Sequence, residues 1–177
     1  MSSRILIKIG GRAFEGEQGF KDLTLAIKST RNVEIIIVHG GGAEISQALK
    51  NAGRKTQFVD GIRVTRAEDI KIVETVLSKT INQRMASWLE KNGVSSTPMS
   101  GKTRHLLVVG PMTRRGRDFG YVGKIKKLNA DVVLESLKAG QVPVVSPISA
   151  DEEGQSFNVN ADSAAAALSA SIRCTDL

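Results

Sequence analysis

Two apolar, β-branched runs each end in glycines: Ile5-Leu6-Ile7-Lys8-Ile9-Gly10-Gly11 and Ile35-Ile36-Ile37-Val38-His39-Gly40-Gly41-Gly42. Near-continuous apolar runs of this kind are strands buried on both faces, as found in parallel sheets covered by helices. Glycines at the strand exit bring bare backbone N–H groups close to whatever lies beyond, and a helix starting there adds its positive end. Such turns bind phosphates and other oxyanions. Lys8, just ahead of its glycines, adds a mobile ammonium to those donors.

Between and after these runs the pattern alternates. Phe20, Leu23, Ala26 and Ile27 recur at helical spacing, and residues 43–52 predict a helix with Ile45, Ala48 and Leu49 on one face, stopped by Gly53. A βαβα opening implies a parallel sheet with crossover helices. Gln57-Phe58-Val59 and Ile62-Arg63-Val64 flank Asp60-Gly61, a pair that favours a tight hairpin. Residues 66–92 predict one long helix with Ile70, Val73, Leu77, Ile81, Met85, Trp88 and Leu89 as its apolar stripe and Gly93 as its stop. Such a helix is about twice the mean length, long enough to cover a partner subunit. Residues 106–109 and 142–145 are further strand candidates, 130–139 a helix, and 110–120 an exposed Gly/Arg-rich loop. No internal repeat or linker divides the 177 residues, and 41% hydrophobic content suffices for one buried core.

The net charge of +7 is concentrated. Between Lys102 and Lys127, the cations Lys102, Arg104, Arg114, Arg115, Arg117, Lys124, Lys126 and Lys127 face Asp118 alone, which accounts for the whole surplus. Only Phe119 and Tyr121 accompany them, a thin stacking platform, so a solvated hairpin near an anionic substrate is favoured over a nucleic-acid surface. No apolar stretch approaches the ~20 residues of a membrane helix. Cys174 is the only cysteine, so no internal disulfide forms, and a cytoplasmic location is the simplest expectation.

Late in the chain, Asn158-Val159-Asn160-Ala161-Asp162 precedes the alanine-rich run from Ser163 to Leu168. The run predicts a helix with Asn160 as its N-cap and Asp162 in its first turn. Capping alone does not account for both asparagines and the aspartate, which offer two amides to orient a polar ligand and a carboxylate to hold a lysine.

Six segments, in order, resemble the amino acid kinase family and within it the acetylglutamate kinases of arginine biosynthesis. They are Lys8-Ile9-Gly10-Gly11, His39-Gly40-Gly41-Gly42, Phe58-Val59-Asp60-Gly61-Ile62-Arg63-Val64-Thr65, Asp118-Phe119-Gly120-Tyr121-Val122-Gly123, Pro143-Val144-Val145-Ser146-Pro147-Ile148 and Asn158-Val159-Asn160-Ala161-Asp162. The sequence departs from the family pattern at Arg12, Ala43 and Thr103. Taken singly, Lys8 fits a solvated strand end, Arg63 an exposed hairpin charge and Asp162 a helix-dipole partner; the shared order favours a common site.

The resemblance implies an α/β fold, a three-layer αβα sandwich about an open, largely parallel sheet. It covers the amino-terminal, N-acetylglutamate-binding lobe, so residues 1–177 are expected to form one incomplete kinase domain without the carboxy-terminal nucleotide lobe. The implied reaction is ATP-dependent phosphorylation of the side-chain carboxylate of N-acetyl-L-glutamate, and the 177 residues alone are expected to be inactive. In that reading Lys8 stabilises the transferring phosphoryl group, and Asp162 orients Lys8. Gly10 and Gly11 donate to ATP phosphates, Gly41 and Gly42 to the attacking carboxylate and phosphoryl oxygens. Arg63 clamps the substrate α-carboxylate, Asn158 holds the amino acid, and His39 orients its turn rather than moving a proton. Mg2+ is held mainly through nucleotide phosphates, with no protein metal site, and the long helix over 66–92 builds a homodimer. The alternative is a non-catalytic lobe that binds an acylated amino acid as a sensor or assembly partner.

Overall fold

The computed structural model describes residues 3–10 and 16–177. Strand β1 (Ser3–Ile9) is followed by helix α1 (Glu17–Ser29), β2 (Val33–His39) and α2 (Gly42–Asn51). A small antiparallel hairpin, β3 (Gln57–Val59) and β4 (Ile62–Val64), turns at Asp60-Gly61, both with positive φ. Next come α3 (Ile70–Glu74), a π-helical segment (Thr75–Ile81) and α4 (Asn82–Lys91), joined through helical dihedrals into one rod. The chain then forms β5 (Ser96–Ser100), β6 (Leu107–Arg114), β7 (Arg117–Leu128), α5 (Asp131–Lys138), β8 (Val142–Ser146), β9 (Ile148–Ala150), β10 (Ser156–Asn158) and α6 (Ala161–Ile172).

Strands β1, β2, β8 and β5 pair in that order, all parallel, as the apolar runs require. Their side chains alternate between two cores. Ile35 and Ile37 of β2 point with Val144 toward Phe20 and Ile27 of α1 and Met85 and Leu89 of α4. Ile36 and Val38 point the other way, toward Val133 and Leu137 of α5 and Ala164 and Leu168 of α6. This is a three-layer αβα sandwich. Ile36 and Ile37 are wholly buried, each contributing on the order of 1.5–3 kcal/mol by burial. Strands β10, β7, β6 and β9 pair into a separate closed ring of mixed direction. Among the described residues no helix is long and apolar enough to cross a membrane.

Two sequence expectations are corrected. The helix expected over 66–92 starts only at Ile70, because residues 67–69 form a turn, and its middle is π-helical. The loop expected over 110–120 is instead the end of a long hairpin: β6 and β7 pair antiparallel and turn at Arg115-Gly116, both at positive φ. Positive φ at both central residues is the turn geometry that matches strand twist.

The β3–β4 hairpin is pinned to β7. Thr65 N–H donates to the Phe119 carbonyl at 3.1 Å, and Tyr121 N–H donates to the Thr65 carbonyl at 2.7 Å. Phe119 is wholly buried beneath this junction. The docking places Arg63 over the glycine turn at the end of β2.

Candidate active site

The strands β1 and β2 and helices α2 and α6 converge at the carboxyl end of the sheet. Lys8, Gly10, Gly41, Gly42, Arg63, Asn158 and Asp162 all line one cleft of about 260 Å3 there. Gly11 lies outside the described residues.

The Lys8 ammonium sits 2.8 Å from Asp162 Oδ1. Asp162 is in the first turn of α6, whose N-cap is Asn160; the Asn160 side chain accepts from Ser163 N–H at 2.9 Å. The ammonium also lies over Gly10, where an added Cβ would stand 2.7 Å from Nζ. Glycine there leaves the lysine head its place beside the backbone. Both side chains of the pair keep solvent access, so the ion pair adds little stability; its effect is to fix a positive charge at the cleft floor.

Opposite, the ten-residue helix α2 opens with its N-terminus on the cleft. Gly40 N–H is engaged with the Ile9 carbonyl at 2.8 Å. The first N–H groups of α2, beginning at Gly42, have no intrahelical acceptor, and Gly41 and Gly42 bring the positive end of the helix to the cleft. Gly41 also packs closely against the rod, since an added Cβ there would crowd the side-chain ends of Ile81 and Leu77.

Arg63 is 8% exposed. Its Nη2 donates to the Gly42 carbonyl at 2.8 Å and Ser46 Oγ at 2.9 Å, its Nη1 to Thr56 Oγ1 at 3.3 Å, and its guanidinium stacks on Phe58 at 4.7 Å. No acidic side chain among the described residues pairs with it. Burial alone pushes its pKa down, the signature of a fixed cation that an incoming anion would stabilise. Asn158 donates to Thr65 Oγ1 at 3.2 Å, which leaves its carbonyl oxygen for a ligand.

His39 is buried away from the cleft behind this turn. Its Nδ1 is 2.9 Å from the Gly40 carbonyl, and its Nε2 is 3.0 Å from Asn82 Nδ2, which also donates to the Val144 carbonyl at 2.9 Å. An amide donor at Nε2 assigns the neutral tautomer with its proton on Nδ1. Sequence reasoning missed Asn82; the signal available was a polar residue directly after stripe position Ile81. It likewise missed Ser46 and Thr56, which hold Arg63.

Burial lowers the His39 pKa from 6.5 to about 4, outweighing the opposing effect of the Gly40 hydrogen bond. The unfolded chain therefore binds a proton first as the pH falls, and folding stability should drop by about 3 kcal/mol between roughly pH 7 and 4 from this group. Urea unfolding across that range should show the decline, and His39→Gln should flatten it. An equally steep decline in the variant would assign the effect to other groups.

The Amino acid kinase family model matches residues 3–177. An acetylglutamate kinase from Clostridium acetobutylicum is 39% identical over 173 residues, covering 94% of this chain and 59% of that protein. One from Geobacillus kaustophilus is 36% identical over 180 residues, covering 100% of this chain and 68% of that protein. The chain thus spans about 59% to 68% of the length of these two relatives. The crystal structure of smu.665 from Streptococcus mutans UA159 superimposes with a TM-score of 0.79 at 28% identity, over 98% of this chain and 70% of that one. With the match running from the first described strand through α6, the chain belongs to the amino acid kinase family.

Proposed function

We propose that the cleft binds N-acetyl-L-glutamate and presents its side-chain carboxylate to the γ-phosphoryl group of ATP. The observation that carries this reading is the juxtaposition of two cations with different tasks. Arg63 is buried, unpaired with any described acid and shaped for a carboxylate, while Lys8 is held by Asp162 across the same cavity. An amino acid with two carboxylates fits this arrangement: one anchored, one reactive.

In this mechanism Arg63 receives the α-carboxylate with its remaining N–H donors, and Asn158 orients the acylated amino acid. The N–H groups at Gly41 and Gly42 receive oxygens of the reacting carboxylate and phosphoryl group. A side-chain carboxylate oxygen forms the new bond to the γ-phosphorus as the bond to the β,γ-bridging oxygen breaks, and ADP departs with that electron pair. The nucleophile is already ionised, so no general base is required, and His39, neutral and buried, stays outside the chemistry. Positioning and charge compensation carry the rate. Lys8 neutralises charge on the transferring group, and Gly10 lets its head approach. Mg2+ that accompanies ATP would add charge neutralisation at the phosphates; this chain's part is to hold those phosphates through Lys8 and the Gly10 turn, since Asp162 is already engaged with Lys8. In the same reading residues 1–177 form the amino-acid-binding lobe, and two copies meet along the 70–91 helix. Light scattering should then show a dimer or a monomer–dimer mixture, against which a strict monomer at high concentration would count.

Arg63→Ala should weaken N-acetyl-L-glutamate binding at least about tenfold, because a desolvated carboxylate loses a charge-assisted partner worth roughly 1.5–3 kcal/mol. Calorimetric titration measures this directly. Unchanged affinity would remove Arg63 from the site and with it the α-carboxylate assignment.

A further inference from the structure

We propose that the β6–β7 hairpin is a docking surface for an acidic polypeptide segment, which lies along the groove between this hairpin and α6 beside the cleft. The groove has a volume of about 580 Å3. It shares Ile62, Val122, Asn160 and Asp162 with the cleft, so the two cavities are continuous at the first turn of α6.

The charge that sets this surface apart is concentrated here. Of the basic block, Lys102 pairs with Glu74, Arg104 with Glu135 and Lys127 with Glu152. Lys126 lines a different cavity, beside Asp151, Glu152 and Glu153. Arg114, Arg115, Arg117 and Lys124 remain: all are exposed, and none has an ion pair among the described residues. Arg114 and Lys124 line the groove, and Arg115 continues the positive surface to the hairpin tip, while Arg117 opens on a neighbouring cavity beside Asp118. From Lys124 to Arg115 this surface runs along about 20 Å of ribbon, a spread that suits an extended polyanion better than a single small anion.

Two observations decide the polyanion's class. Both aromatic side chains within the basic block are committed inward: Phe119 is wholly buried, and Tyr121 packs on Phe157 with ring centroids 5.7 Å apart. Among the described residues no aromatic stacking platform faces these cations, as single-stranded nucleic acid would need. The groove also presents apolar surface, from Met112, Ile125 and Ala167, between its cations. A peptide that mixes acidic and apolar side chains meets both features, whereas a phosphate backbone meets only the charge.

The test is fluorescence anisotropy with a short fluorescein-labelled peptide of Glu-Glu-Leu repeats. Saturable binding is expected at low salt, weakening as salt rises. The double variant Arg114→Glu/Lys124→Glu should weaken it at least about tenfold, since charge reversal replaces attraction with repulsion at two contacts. Lys126→Glu, beside the acidic turn, should change it by less than about twofold. Circular dichroism and N-acetyl-L-glutamate titration of the same variants report whether fold and cleft are intact, so failure here is distinguishable from failure of the proposed function. Should the double variant not fold, Arg114→Glu/Arg115→Glu nearer the tip is to show the same loss. The proposal is overturned by absence of saturable binding, by binding insensitive to the reversals, or by single-stranded or duplex DNA of equal charge binding more tightly at the same residues.

Discussion

Lys8→Ala is expected to lower ATP-dependent acyl phosphate formation by the complete gene product by about 10²- to 10³-fold in kcat, with a much smaller change in KM for N-acetyl-L-glutamate. The size follows from placement. The ammonium is fixed 2.8 Å from Asp162 Oδ1 and above Gly10, so no reorganisation is needed when charge develops on the phosphoryl oxygens. In the proposed function, anchoring of the amino acid rests on Arg63 and Asn158, which the substitution leaves in place. Lys8→Arg should rescue poorly, because a planar guanidinium is bulkier than the ammonium, and an added Cβ on Gly10 would already stand 2.7 Å from the lysine head. Asp162→Asn should act in the same direction but less severely, by freeing the lysine head rather than deleting it. Initial-rate kinetics separate the parameters; a raised KM with unchanged kcat would make Lys8 a ground-state binding group.

Gly120→Ala is expected to destabilise the fold by at least about 3 kcal/mol, equivalent to a factor of more than about 100 in the folding equilibrium. Gly120 has φ +66, and a Cβ there would stand 2.3 Å from the Thr65 carbonyl oxygen and 3.2 Å from its carbon. That oxygen is backbone and already accepts from Tyr121 N–H, so it cannot swing aside like a side-chain end. Displacing it detaches the hairpin that carries Arg63. Gly116→Ala supplies the comparison. Its φ is +71, but an added Cβ meets nothing within 4 Å, so only the conformational penalty of about 1 kcal/mol applies. Urea denaturation of both variants tests the argument; equal losses would show that conformation, not the Thr65 contact, sets the cost.

The parts of the site visible in the sequence were those written in local chemistry. Apolar runs ending in glycine marked two parallel strands and the turn after the second, Asp60-Gly61 marked the hairpin, and Asn160 with Asp162 marked the start of α6. What remained hidden depends on contacts distant in sequence. In the long helix, Val73, Leu77, Ile81, Met85 and Leu89 follow one another at four-residue steps. Each such step overshoots an α-helical turn by about 40°, so the stripe cannot stay on one face. The π-helical turns over Thr75–Ile81 absorb the drift and bring both Ile81 and Asn82 inward. Asn82 could thereby reach His39, a contact that helical spacing alone places out of reach.

The glycines of the basic block misled for a related reason. Gly110 and Gly120 suggest a loop, yet each lies within a strand, as does Gly123. Built Cβ atoms would approach Lys126, Thr65 and Phe157 with Val109, respectively, at 3.1 Å or less. They are sites of close approach between segments rather than breaks in structure. Strands β5, β9 and β10 carried too little local signal to be called, being short and specified by the partners they pair with. The roles expected of Lys8, Arg63, Asn158 and Asp162 rest on the family resemblance that six ordered segments carry; geometry adds that their side chains share one cavity.

In the proposed function this cleft directs phosphoryl transfer to the side-chain carboxylate of N-acetyl-L-glutamate. Hydroxylamine trapping tests it most directly, because an acyl phosphate is intercepted as a hydroxamate whose mass and fragmentation identify which carboxylate was phosphorylated. With the full-length protein, ATP, Mg2+ and N-acetyl-L-glutamate, side-chain hydroxamate is expected in step with ADP release, largely abolished by Lys8→Ala. ADP release without hydroxamate, hydroxamate at the α-carboxylate, or full product from the Lys8→Ala protein would contradict it.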